Sequence, residues 1–329
     1  MLLHSFTIFI LIFYSCIGFS FGFIHIVPGI ASYIYEGLKC SFQICCNENE
    51  IPAKFDVLET SLKNNIYGQP LVQDTLSKAL KSHWKKDFKP SKALTISFHG
   101  GPGVGKNYVS KFIQEALFKD GMKSPHVHNF IARLDFPEAS QVDVYKKNLA
   151  NWIKGNVTRC PKQLFIFDEV NNMPSGVLDV LKPFMDYVDY INGISYKEVI
   201  FLLLSNTGYH IINEYTYELW KQGIKREELK LSHFEKIVAK GAFNEKGGFL
   251  MADIIKRNLV DHYIPFLPLM EEHLVLCVRK EFEIRGILNP SLEDIRKVLE
   301  FIDWGPEPNK IFSKTGCKRI SQKVGLLSI

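Results

Sequence analysis

Cysteine is sparse in this chain, with seven residues in 329. That density is too low for a fold held by a disulfide scaffold, so hydrophobic burial has to build the core. Charge of one sign is lacking too. Forty Lys and Arg against 35 Asp and Glu leave a net charge of +5, too small and too evenly spread to point to nucleic acid. There is no low-complexity tract and no fixed-period repeat, which excludes collagen-like and solenoid architectures. What remains is ordinary globular usage, 46% hydrophobic and 23% charged, which excludes wholesale disorder. A chain of this length holds one large domain, or a domain with a small appendage.

The N-terminal run LLHSFTIFILIFYSCIGFSFGFI lacks Lys, Arg, Asp and Glu altogether. Small residues (Ser15, Gly18, Ser20, Gly22) gather near its end. An apolar run at the extreme N-terminus reads as a secretory signal peptide, cleaved between about Gly18 and Gly22. The competing reading is an uncleaved anchor, since about 20 apolar residues span a bilayer. A second weakly polar stretch, HIVPGIASYIYEGL, follows and suits contact with a membrane face. Entry into the secretory pathway makes Asn156-Val157-Thr158 a glycosylation candidate at Asn156, in an expected surface loop before the third strand. It also places Cys40, Cys45 and Cys46 where disulfides form.

From about residue 52 the pattern alternates. Two helices broken near Tyr67-Gly68 precede a strand over 93–98 and a helix over 104–118. VHNFIARLDF predicts a second strand, QVDVYKKNLANWIKG a helix and QLFIFDEV a third strand. A helix is expected over 174–187, with its apolar stripe at Val177, Leu178, Leu181 and Phe184. VIFLLLSN is a fourth strand. Continuous apolar strands alternating with helices imply an α/β fold, a parallel sheet covered on both faces. Beyond Pro268 only helical patterns are expected.

The strongest chemical signal is GGPGVGKN: Gly100, Gly101, Pro102, Gly103, Val104, Gly105, Lys106 and Asn107. It follows a strand and opens a helix, as a phosphate-binding loop does. Its backbone N–H groups would cradle phosphates at a helix N-terminus, and Lys106 would reach the β and γ phosphates. Asn107 stands where the usual pattern has Ser or Thr, and would offer Mg²⁺ an amide oxygen in place of a hydroxyl. Phe165-Ile166-Phe167 lifts Asp168 and Glu169 to the carboxyl edge of the sheet. There Asp168 would complete the Mg²⁺ shell and Glu169 would orient or deprotonate water. A DE pair, rather than a lone Asp, favours hydrolysis over transfer to a small acceptor. For Asn206, at the end of the fourth strand, two readings stand: contact with the γ-phosphate or water, or a turn residue before Gly208.

These residues together resemble an AAA+ ATPase, and more closely the torsins, AAA+ ATPases of the endoplasmic reticulum lumen and nuclear envelope. The segments that carry the likeness are YIYEGLKCSFQICC, NNIYGQPL, LTISFHGGPGVGKNYVSK, LANWIKGNVTRC, FIFDEVNNM, LSN, RNLVDHYIPFLPL and FSKTGCK. Asn after the loop lysine is itself a torsin trait. The resemblance implies an AAA+ sheet with a small C-terminal helical lid, and ATP and Mg²⁺ as ligands. It gives Lys106, Asp168, Glu169 and Asn206 the roles above, and places Lys318 where the lid senses the phosphates. It further implies that Cys277 and Cys317 form a pair that senses redox state or nucleotide. The alternative is two buried small hydrophobes.

Two departures bear on mechanism. Clp-like relatives carry an Arg before the fifth strand that reaches a neighbour's site, and Leu259 occupies that place here. No Gly-aromatic-Val-Gly pore loop lies between the second strand and Asp168, which disfavours a threading unfoldase. The torsin resemblance then implies low basal activity and a membrane-spanning activator whose lumenal AAA-like domain supplies the arginine. Homo-oligomers and peripheral membrane contact are compatible with it, and nucleic acid is not an expected partner. The alternative class is a non-hydrolysing nucleotide-dependent switch or scaffold. The expected divisions are 1–22 (signal or anchor), 23–51 (membrane-associated), 52–268 (nucleotide-binding) and 269–329 (helical lid). Fused to a soluble reporter, residues 1–45 should carry it to the endoplasmic reticulum membrane, and a cytosolic reporter would refute the lumenal expectation.

Overall fold

Short apolar runs form strands here, and the amphipathic segments between them form covering helices. The computed structural model describes residues 45–327. The expected signal segment, and the membrane-associated stretch up to residue 44, lie outside the described residues. Cys46–Ile329 makes one compact unit. Among the described residues, no helix is long and apolar enough to cross a membrane.

Helices of eight residues or more are labelled in chain order. They are α1 Phe55–Asn65, α2 Pro70–His83, α3 Lys106–Leu117, α4 Val142–Arg159, α5 Tyr209–Lys221, α6 Leu231–Asn244, α7 Glu271–Ile284, α8 Leu292–Leu299 and α9 Ile320–Leu327. The strands are β1 Leu94–His99, β2 Val127–Ile131, β3 Leu164–Asp168, β4 Ile200–Ser205 and β5 His262–Pro265. They pair in parallel in the order β2-β3-β4-β1-β5. His99 lies in register with Ser205, and Phe167 with Leu203. The carboxyl ends of β1, β3 and β4 therefore share one edge, the place where open α/β sheets bind ligands.

Strand periodicity divides the core into two layers. Ile166, Ile200, Leu202 and Leu204 face one hydrophobic cluster, with α1 to α3 and residues of the C-terminal helices such as Leu274, Val298 and Val324. The alternate residues Phe165, Phe167, Phe201 and Leu203 face the other, with Ile153 of α4 and Phe234 of α6. Phe165 stacks on Phe201 at 5.6 Å and on His128 at 4.6 Å between ring centroids. A disulfide joins Cys46 to Cys160, just past α4, across 114 residues of chain.

Four expectations need correction. The second strand stops at Ile131, and Ala132–Asp135 forms a helical turn because Asp135 Oδ2 accepts from Ile131 N at 2.6 Å. The 174–187 helix is instead a 3₁₀ stretch, Val177–Leu181, followed by one α turn, Lys182–Met185. Pro183 has no N–H to offer the carbonyl four residues back, so a regular helix cannot run through it. The C-terminal part is not wholly helical, since Trp304–Gly305 pairs antiparallel with Phe312–Ser313. Asn156 does not lie in a surface loop. It sits in the last turns of α4, 6% exposed, with Nδ2 donating to the Trp152 carbonyl at 2.8 Å. A glycan at this nitrogen requires the side chain to swing out of the fold.

Phe201 is fully buried in the central layer. Phe201→Ala should lower unfolding free energy by about 3–5 kcal/mol, a large share of the roughly 5–15 kcal/mol available to a domain. Chemical denaturation of the purified protein measures this, and a loss below about 1 kcal/mol would mean that the layer repacks.

Candidate functional site

The phosphate loop leaves β1 after His99 and turns into α3 at Lys106. Gly103 takes φ +72°, a left-handed conformation that suits glycine. The reason is crowding as well as torsion: a Cβ there would lie 2.0 Å from the Thr315 carbonyl oxygen. Gly316, at φ +52°, comes equally close from the other side, with its own Cβ position 2.4 Å from the Gly103 oxygen. Between them Cys317 N donates to Gly103 O at 2.9 Å. Two glycines thus let the C-terminal turn seat itself on the phosphate loop and bring Lys318 to it.

Lys106 is 7% exposed. Its ammonium donates to Gly100 O at 2.6 Å, Gly101 O at 2.8 Å and Asn206 Oδ1 at 2.8 Å. Burial pushes its pKa down to about 8, the Asp168 charge opposes the shift, and the Lys318 charge adds to it. Asn206 thus meets the loop lysine and is not only part of a turn, and its backbone N donates to Asn171 Oδ1 at 3.1 Å. Asn107 Nδ2 donates to Asp168 Oδ2 at 2.5 Å, so the amide expected to offer its oxygen to a metal is held to Asp168 by its nitrogen. Asp168 Oδ1 in turn accepts from Glu169 N at 2.7 Å.

Glu169 has φ +56°, a sparsely populated conformation for a residue with a side chain. Its Oε2 lies 2.7 Å from Arg133 Nε. Sequence reasoning missed both Arg133 and Asn171. Arg133 was hidden inside the stretch expected to be strand. Asn171 follows the acidic pair at close spacing, which is the one signal that could have found it.

These groups open into a cavity of about 580 Å³. Lys106, Lys318, Lys280, Asp168, Glu169 and Glu281 supply charged lining, and Ile66, Tyr67 and Ile284 apolar surface. That combination suits a polyanion joined to a flat, weakly polar group, as in a nucleoside triphosphate. Cys277 of α7 and Cys317 also line it, joined by a disulfide with Cα atoms 6.3 Å apart. Among the described residues, no three His, Cys, Asp or Glu gather as a metal cage. The donor set of Asp168 with Asn107 instead fits Mg²⁺, which takes one or two carboxylates and completes its shell with phosphate oxygens and water.

Leu259, at the place of the trans Arg of Clp-like proteins, is 3% exposed. Its carbonyl accepts from Lys92 Nζ at 3.1 Å, and Lys92 also pairs with Asp261 at 2.7 Å. Arg257, at the end of the short helix Asp253–Lys256, is exposed.

A family model described as Torsin matches residues 40–167. A Torsin-like protein of Caenorhabditis elegans is 38% identical over 293 residues, covering 88% of this chain and 82% of that protein. A Torsin-like protein of Drosophila melanogaster is 36% identical over 301 residues, covering 90% and 88%. Among solved structures, the S. cerevisiae Hsp104-ADP complex aligns with a TM-score of 0.52 at 16% identity. It covers 90% of this chain, which spans about half of that one, 49%. This likeness carries the fold, an AAA+ α/β sheet.

The lowered Lys106 pKa makes a pH prediction. Phosphates favour the charged lysine, so nucleotide binding should take up little proton near about pH 7 and most of one near about pH 9. Titration calorimetry with ADP, in buffers of different ionisation enthalpy, reads the uptake. Equal uptake at both pH values would refute the lowered Lys106 pKa.

Proposed function

The chain belongs to the torsin family, and from that premise we propose that it hydrolyses ATP to remodel protein or membrane assemblies in the endoplasmic reticulum lumen and perinuclear space. The observation that carries this reading is the convergence of Lys106, Asn206 and Asp168, with Glu169 beside them, on one edge of the sheet.

Lys106 leaves the loop carbonyls for the β and γ phosphates, and the first-turn amides of α3 hold the same groups. Asp168 and Asn107 would hold Mg²⁺, which when bound offsets charge on the phosphate oxygens. Glu169 orients the attacking water and takes its proton, once its carboxylate is free of Arg133. Lys318, carried on the turn that touches Gly103, adds positive charge at the phosphates. The set lacks a mobile guanidinium from a neighbouring copy, because Leu259 is buried in its place. Basal turnover is therefore slow. The activator is a membrane-spanning protein whose lumenal AAA-like domain inserts an arginine, a group that contributes about 10³–10⁵ in rate in other phosphate-loop enzymes.

The second reading, a nucleotide-dependent switch that does not hydrolyse, draws on the Arg133–Glu169 ion pair, which engages the water-orienting carboxylate. One experiment separates the two. Steady-state ATP turnover is measured for the wild type and Glu169→Gln, each with and without an arginine-bearing lumenal AAA-like domain. We expect slow wild-type turnover, stimulation by at least about tenfold, and retention of ATP without turnover in Glu169→Gln. Nucleotide binding with no turnover under any condition would favour the switch. Fast unstimulated turnover lost on Arg257→Ala would make the chain a self-sufficient ring ATPase.

A further inference from the structure

Beneath the site lies a buried side chain that the proposed chemistry does not use. His99 ends β1, directly before the phosphate loop, and is 0% exposed. It stands in register with Ser205 of β4 on one side and Pro265 of β5 on the other, at the middle of the active edge. Both ring nitrogens are engaged. Nδ1 lies 3.0 Å from the Thr207 carbonyl oxygen, and Nε2 lies 2.7 Å from Ser97 Oγ. A carbonyl oxygen can only accept, so Nδ1 carries the proton and donates, and Nε2 accepts from the Ser97 hydroxyl. Burial pushes the ring's pKa down to about 4, so it is neutral at physiological pH and this tautomer persists.

The network continues on the far side of Thr207. Thr207 N donates to Ser205 Oγ at 3.0 Å, and the two hydroxyls lie 2.9 Å apart. Ser205 and Thr207 are both buried, and they flank Asn206. Asn206 is the exposed residue of the three, and at the cavity, which Ser205 also lines, its Oδ1 meets the Lys106 ammonium. The direction of its Cα–Cβ bond follows from the peptide planes on either side. The peptide on the 207 side is held by the bonds from Thr207 N to Ser205 Oγ and from Tyr209 N to the Asn206 carbonyl at 3.2 Å, and the bond from His99 to the Thr207 carbonyl pins the peptide after it, so Thr207 is fixed at both ends.

A Phe or Leu would suit the packing near Phe249 and Tyr263 but would leave the Thr207 carbonyl and the buried Ser97 hydroxyl without this partner. An imidazole here offers a donor aimed at one carbonyl. We propose that His99 is a positioning residue: by holding the Thr207 carbonyl it aims the Asn206 amide at Lys106 and at the γ-phosphate. This rests on the hydrolytic reading above, and it adds a residue through which the phosphate loop and the end of β4 are kept in step.

Two substitutions separate positioning from packing. The amide nitrogen of Asn falls near the Nδ1 position of His, and that of Gln near Nε2. His99→Asn keeps the donor to Thr207 and loses Ser97, whereas His99→Gln keeps Ser97 and loses Thr207. With the full chain and its activator, His99→Gln should lower maximal ATP turnover about tenfold or more with KM changed by less than about threefold, and His99→Asn should rescue most of that loss. Adding His99→Gln to Asn206→Ala should cost nothing further, because the two act through one amide. The proposal is overturned if the Asn and Gln variants lose turnover alike, each in proportion to its folded fraction by circular dichroism. It is overturned equally if the two losses multiply in the double variant. Should the wild type show no turnover, the hydrolytic reading fails, and the positioning role is read from binding alone. His99→Gln and Asn206→Ala must then lower the ratio of ATP to ADP affinity by the same factor, and an unchanged ratio in His99→Gln overturns the proposal.

Discussion

Burying the Lys106 ammonium is the constraint on which the active edge depends. A lysine that gives up almost all its hydration needs acceptors on every side. The fold supplies two carbonyls of the phosphate loop and the amide oxygen of Asn206. The carbonyls are within reach only because the loop folds back over the start of α3. The amide is within reach only because β4 pairs with β1 and ends level with it. The strand order, the loop conformation and the polar network at the end of β4 are parts of one solution to the burial of a charge. The same burial lowers its pKa and leaves a cation that an incoming polyanion stabilises.

The C-terminal turn depends on that loop in a different way. Gly103 and Gly316 meet backbone to backbone, and any side chain at either would push the turn away. Their contact delivers Lys318 to the site, and the Cys277–Cys317 disulfide fastens the same turn to α7 across the cavity wall. This turn is therefore joined to the phosphate loop by a hydrogen bond and to α7 by a covalent one. A change in either reaches Lys318 directly.

At the other end of the sheet, buried Lys92 pairs with half-buried Asp261 and fixes the segment that leads into β5. Lys92 holds the Leu259 carbonyl, and Asp261 accepts from Thr95 N at 2.8 Å, so the segment entering β5 is stitched to β1. Leu259 packs inward as part of that seam. An arginine at 259 would have to break it or snorkel out of it. The proposed dependence on a partner and the stability of the β5 seam thus follow from the same residues.

Much of this was legible in the one-dimensional pattern. Continuous apolar strands alternating with helices pointed to a parallel sheet covered on both faces, and the glycine loop between a strand and a helix located Lys106. The acidic pair after four apolar residues located Asp168 and Glu169. Each is a local signal, because side-chain alternation and turn chemistry act over a few residues. Local signals misled where a single interaction overrode them, as with the Asp135 cap that ended β2 early and Pro183, which broke the expected helix. Periodicity alone did not decide whether Asn206 was a turn residue or a ligand of Lys106, or whether Cys277 and Cys317 touch. It also left unseen that Arg133 reaches Glu169 and that His99 holds Thr207. Those facts join residues far apart in the chain, and such contacts depend on strand order and on the packing of layers. The local pattern marked out Lys106, Asp168, Glu169 and Asn206 as candidates; the tertiary structure decided which of them meet, because only the packed sheet brings the ends of β1, β3 and β4 to one edge.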